Sequence, residues 1–183
     1  MKHFRFTAIV LLVMATLFSS CEKSDVEIFN GTYSYKTSGK VALLPSDYVN
    51  ASDEEKAYLE TMGMTPSPQW IALQPEQGQM HIRSVSEDDN TVIITFNDLF
   101  GNACMANAII DGDNISISDA QQKTIAVTDG SEKLGGGFVV YTGEGHLYDD
   151  IIVLTLTYNG VVSISGVNMS IVESYVECIA TLN

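Results

Sequence analysis

Beyond Pro68 the chain keeps one rhythm, and that rhythm restricts the fold more than anything else in the sequence. Apolar and polar residues alternate in short runs, turn signals separate the runs, and no long helical period returns. Val92, Ile94 and Phe96 share one face of 91–96, and Cys104, Ala106, Ala108 and Ile110 share one face of 103–110. Ile115 and Ile117 alternate with Asn114, Ser116 and Ser118 after the hairpin dipeptide Asp111-Gly112. A weaker strand at 123–127 precedes a loop expected to end in Gly135-Gly136-Gly137. Strands at 138–147 and 151–158 pair across Tyr148-Asp149-Asp150, and Asn159-Gly160 predicts a further hairpin before 161–165. The last strand sets Val172, Val176, Cys178, Ala180 and Leu182 on one face.

The first half adds strands at 32–44, with Gly39 as a bend, at 69–73 around the sole tryptophan Trp70, and at 79–85. Between them lies one helix, 52–62. Ser52 and Glu55 have capping-box spacing, and Ala57, Tyr58, Leu59 and Met62 form a narrow apolar stripe. Gly63, Pro66 and Pro68 stop it. Short strands and tight turns give a mainly β fold, an antiparallel up-and-down meander closed as a barrel, with a β-sandwich as the alternative. A helix inserted between two strands is expected to cover one barrel end, burying Leu59 and Met62, and to gate access to the interior.

The N-terminus has a different character. Lys2, His3 and Arg5 precede an apolar run, 8–18, too short to span a bilayer, and small residues follow. This is the layout of a signal peptide. Leu17-Phe18-Ser19-Ser20-Cys21 resembles the lipobox of bacterial lipoproteins. The resemblance implies cleavage before Cys21, acylation of its thiol and a membrane held through the N-terminal lipid. Because Glu22 is not Asp, it also implies the outer membrane, facing the periplasm or the outside. The organisation is then 1–21 signal peptide, 22–29 acidic tether and 30–183 one barrel domain carrying the helical insertion 52–62. Loss of Lys2 and Arg5 takes the formal charge from −14 to −16. Such a body repels nucleic acid and anionic headgroups.

Asn30-Gly31-Thr32-Tyr33 opens the domain, and 141–146 faces 155–158 as paired strands. With the lipobox and the tether, this order resembles envelope lipoproteins with a calycin-like, lipocalin-type β-barrel. That likeness implies a barrel with an interior. It implies no particular ligand.

Few residues suggest reaction chemistry, and neither an enzyme nor a cofactor is expected. Glu144 and His146 share a strand face but are too few to hold a metal, so no metal site is expected. The acidic groups at 87–90, 111–114 and 149–150 suit turns, and none has the spacing of a calcium loop. No nucleophile elbow or phosphate-binding glycine loop occurs. Cys104 and Cys178 read either as a disulfide or as two buried thiols. Tyr33, Tyr35, Trp70, Tyr141 and Tyr158 could line a mouth or interior that takes a small apolar or saccharide ligand, or could be ordinary sheet packing. The function expected is a non-catalytic, lipid-anchored binding domain. The alternatives are a structural or interaction module of an outer-membrane complex and, less favoured by the residues, a hydrolase or protease inhibitor.

Overall fold

The alternating runs form ten strands in one antiparallel sheet that closes on itself. The computed structural model describes residues 25–85 and 90–183. The expected signal segment, Cys21 and most of the acidic group at 87–90 lie outside the described residues. The strands are β1 (Gly31–Pro45), β2 (Gln69–Leu73), β3 (Gln77–Ser84), β4 (Thr91–Asp98), β5 (Ala103–Asp111), β6 (Asn114–Ala120), β7 (Lys123–Asp129), β8 (Glu132–Tyr148), β9 (Ile151–Ile164) and β10 (Val167–Leu182). Among the described residues three short helices accompany them: α1 (Asp25–Phe29), α2 (Ser46–Val49) and α3 (Asp53–Thr61). Pairing of β1 with β10 closes the ring, which rules out the sandwich alternative.

The sheet is forked. β1, β8, β9 and β10 are the long strands, and two of them change partner along their length. Residues 31–36 of β1 pair with β3, whereas 40–43 pair with β2. Residues 143–146 of β8 pair with β6, whereas 132–139 pair with β7. One end of the barrel is therefore a ring of eight strands, β1-β3-β4-β5-β6-β8-β9-β10. The other is a ring of six, β1-β2-β7-β8-β9-β10. A plain meander has no such branch, and the branch is what creates the candidate site.

Inward-facing side chains fill the eight-stranded end. Ile82, Ile94, Ile110, Ile115, Ile117, Ile152 and Leu154 have essentially no exposed surface. α1 packs over this end against β3 and β5, with Val26 and Phe29 in the core. Tyr33 Oη donates a hydrogen bond of 2.9 Å to the Phe29 carbonyl and ties the helix to β1. The stretch expected to be an acidic tether is thus, from Asp25 onward, a plug. Val26 and Phe29 are three residues apart, so one helix face carries both.

The capped helix does not cover a barrel end. The capping box forms as read, with Glu55 N donating to Ser52 Oγ and Ser52 N donating to the Glu55 carboxylate. Donation to that carboxylate from both Ser52 N and Ser52 Oγ holds the Glu55 carboxyl below its ordinary range. Yet no residue of α3 is buried, and Tyr58 and Met62 are largely exposed. The excursion leaves β1 at the six-stranded end, and a ring of six is narrow enough to be filled by its own Val41, Leu43, Val127 and Val162. That end has no open mouth to cover.

Three local expectations also change. Asn159-Gly160 is not a turn: Asn159 pairs with Val140 and Gly160 with Val139, in the middle of β9. A Cβ at Gly160 would lie 2.2 Å from the Phe138 carbonyl oxygen, so glycine there permits close backbone approach. The turn falls at Ser165-Gly166, both at positive φ. Gly135-Gly136-Gly137 lies within β8 rather than ending a loop, for the same reason: a Cβ at Gly137 would meet the Val161 carbonyl at 2.0 Å. Val172 faces outward because the register shifts between Glu173 and Ile171, which turns Ile171 inward in its place.

Candidate binding site at the fork of the sheet

Where the two rings part, the barrel wall has an opening. β3 and β5 begin there, at Gln77 and Ala103, and β4 ends there at Asp98. The linkers 74–76 and 121–122 cross the gap to β3 and β7. The opening leads into a recess of about 600 Å³ lined by Tyr35, Glu76, Phe96, Asp98, Asn102, Ala103, Cys104, Lys123 and Thr124, among others. Each lining group has a local cause. Tyr35 and Phe96 are inward positions of β1 and β4. Glu76 is fixed through its backbone, its N–H donating to Thr37 Oγ1 at 3.0 Å and its carbonyl accepting from Thr37 N at 2.8 Å. Lys123 is the first residue of β7 and points back across the gap to Glu76, with an Nζ to Oε2 distance of 2.5 Å.

Aromatic rings continue the recess inward. Tyr35 meets Phe96 edge-on with centroids 5.3 Å apart, Phe96 meets Tyr141 at 6.2 Å, and Tyr141 meets Tyr158 at 5.9 Å. Lys123 Nζ stands 5.8 Å from the Tyr141 ring and 5.6 Å from that of Tyr158, so one cation serves both a carboxylate and two aromatic faces. It also donates to Tyr158 Oη at 3.5 Å. Burial raises the phenols of Tyr35, Tyr141 and Tyr158. The Glu76 carboxylate raises Tyr35 and Tyr158 further, and Cys104 does the same for Tyr141. Protonated phenols can donate and accept, so the recess offers hydroxyls, a cation, carboxylates and ring faces together.

A short loop overhangs the opening. Asp98 accepts from the N–H groups of Phe100 and Asn102 and from Asn102 Nδ2, at 2.9, 2.8 and 2.7 Å. Its partial burial alone would raise its carboxyl, but these bonds outweigh that and hold it below the usual Asp range. The loop so fixed carries Leu99 and Phe100, the latter 86% exposed.

The five aromatic candidates divide. Tyr35 lines the recess, and Tyr141 and Tyr158 lie behind it in the core, linked to it through Phe96 and Lys123. Tyr33 is in the core beside α1, away from the fork. Trp70 lies on the outer face of β2, 45% exposed, with Lys40 Nζ 4.8 Å over its ring. Cys104 and Cys178 are both buried and both free. No disulfide joins them because β5 and β10 stand four strands apart either way round the eight-stranded ring. Cys104 instead lies 3.7 Å from Tyr141 Oη. Burial pushes the Cys178 thiol up to about 12. Glu144 accepts from Ser116 Oγ, and His146 Nδ1 meets Asn114 Oδ1 at 3.0 Å, so each has a surface partner. Among the described residues no group of three or more His, Cys, Asp and Glu could hold a metal.

Glu76, Phe96, Asp98 and Lys123 were not among the sequence candidates. Phe96 was legible as an inward position, but nothing in the run 91–96 marks it as bordering a gap. Lys123 carried the better signal: it is one of few basic residues in an acidic chain, and it opens an apolar strand.

No protein-family model matches this chain, and no curated protein matches it. A solved structure described as EF1p2_mFAP2b bound to DFHBI is similar to it at 11% sequence identity, covering 88% of this chain and 98% of that one, with a TM-score of 0.45.

Proposed function

We propose that this protein is a non-catalytic, lipid-anchored envelope domain that takes a small ligand at the fork of its barrel, not through either end. The recess carries the reading. It is the place where aromatic rings, Lys123 and Glu76 meet beside an opening where β1 and β8 change partners. Its mixed lining suits a ligand with a flat apolar face and several hydroxyls, such as a saccharide, better than a purely apolar one. The Tyr35 phenol, raised by burial, stays protonated and can donate to or accept from a ligand's hydroxyls. Anchoring through acylated Cys21 in the outer membrane is part of the proposal and rests on the lipobox-like sequence.

The test is native mass spectrometry of protein purified from its host, alongside the variant Ala103→Trp. Ala103 borders the opening on the exposed side of β5, so a tryptophan there covers the lip of the recess without entering the core. A non-covalent adduct present in the unsubstituted protein and absent from the variant supports the reading. An adduct retained by the variant, or none in either, contradicts it. Membrane fractionation of Cys21→Ala tests the anchor: release to the soluble fraction is expected, and continued membrane association contradicts it.

A further inference from the structure

We propose that the groove between α2, α3 and the segment 64–66 docks a basic, apolar-sided segment of another protein. The groove has a volume of about 700 Å³, and its apolar walls include Pro45, Tyr48, Tyr58, Leu59, Met64 and Pro66. It lies on the helical excursion, separate from the recess at the fork. The excursion is fixed to the barrel at its base, where Ser46 is buried against Ser170 with their Oγ atoms 2.9 Å apart. α3 beyond it has no buried residue, and Tyr58, Met62 and Met64 are each more than half exposed. A nine-residue helix in water is marginal by itself, and this one relies on its capping box. Covering its apolar side would stabilise it.

The charges around the groove select the occupant. Asp47, Glu54 and Glu55 line it, and Asp53 and Glu60 add acid to the same helix, against Lys56 as the one basic residue of 45–66, whose Nζ donates to the Val49 carbonyl at 3.0 Å. Glu55 is committed to the helix cap. Asp47 and Glu54 line the groove, and their carboxylates make no hydrogen bond or ion pair among the described residues. Lys or Arg beside a bulky apolar side chain complements this arrangement. A second copy of the chain would set one acidic rim against another across a two-fold axis, within a body of net charge −14. Anionic lipid headgroups would be repelled in the same way.

The full chain is titrated with a fluorescein-labelled helical peptide of Leu and Lys. Leu/Glu and Ser/Lys peptides of equal length serve as comparators, and amide chemical shifts map the site. Saturable binding of the Leu/Lys peptide alone is expected, with shifts concentrated in residues 45–66. Both Leu59→Ser and the double variant Asp47→Asn/Glu54→Gln should weaken it at least tenfold. The double variant leaves Ser52 and Glu55 intact, so the helix persists even if Leu59→Ser loosens it. Equal binding of the Ser/Lys peptide, shifts spread over the strands, unchanged affinity in the double variant, or dimerisation through this face would each overturn the proposal. None of these outcomes bears on the Ala103→Trp test at the fork.

Discussion

The eight-stranded end and the fork share β1, β4 and β5, yet their interiors differ in kind. At the eight-stranded end the inward side chains are apolar, with glycine at 143 and 145 making room for them, and α1 closes the mouth with Val26 and Phe29. At the fork, inward Tyr35 and Phe96 share space with Glu76, Asp98 and Lys123. The cause is hydrogen bonding. A closed ring satisfies its own backbone and can be filled with hydrocarbon. A split wall admits water, and charged side chains can then lie inward at modest cost. One end is packed for stability. The gap is where chemistry can be presented.

Removing the plug should have the largest effect. Phe29→Ala is expected to cost roughly 3–5 kcal/mol in urea unfolding, because the ring has no exposed surface. If residues 22–29 were only a tether, the substitution would be neutral. Breaking the ion pair at the fork should cost less. Lys123→Met leaves Glu76 partly buried without its partner, worth about 1–3 kcal/mol, and Lys123→Met/Glu76→Gln should recover most of it. Additive losses in the double variant would mean that the two groups act independently.

Alkaline pH gives a smaller effect at first. A thiol raised by folding to about 12 contributes stability that is complete below its unfolded value of about 8.5 and is lost as pH rises through the folded one. The raised phenols of Tyr35, Tyr141 and Tyr158 act in the same direction above about pH 10. The thiol alone should cost under about 1 kcal/mol at pH 9. Tyrosinate absorbance should show these phenols ionising only together with unfolding. Ionisation within a folded barrel would mean that the fork is wetter than its geometry indicates. Smallest of all, Ala103→Trp should change stability by about 0.5 kcal/mol or less while abolishing ligand uptake.

Much of the barrel was legible because period-two alternation reports one buried face. It placed Val92, Ile94 and Phe96 inward, and Ala106, Ala108 and Ile110 with them, as the structure has them. What it could not show was pairing between strands distant in sequence. The change of partner within β1 and within β8 leaves no local mark, so the fork was invisible, and with it the roles of Glu76 and Lys123. Glycine was misleading for a related reason. Gly137 and Gly160 face each other's strands at close backbone approach, an inter-strand demand that reads locally as a turn. The capping box correctly announced α3, but a cap specifies where a helix starts, not what it covers.

Solvent should reach the barrel interior at the fork and nowhere near Cys178, and thiol labelling tests this most directly. In folded Cys21→Ala protein at pH 8, Cys104 lines the recess, whereas Cys178 has no exposed surface. Iodoacetamide should modify Cys104 slowly but faster than the chain unfolds, Ala103→Trp should suppress that reaction, and Cys178 should react only on unfolding. Equal labelling of the two thiols, or labelling of Cys104 at the unfolding rate and unaffected by Ala103→Trp, would contradict an opening at the fork.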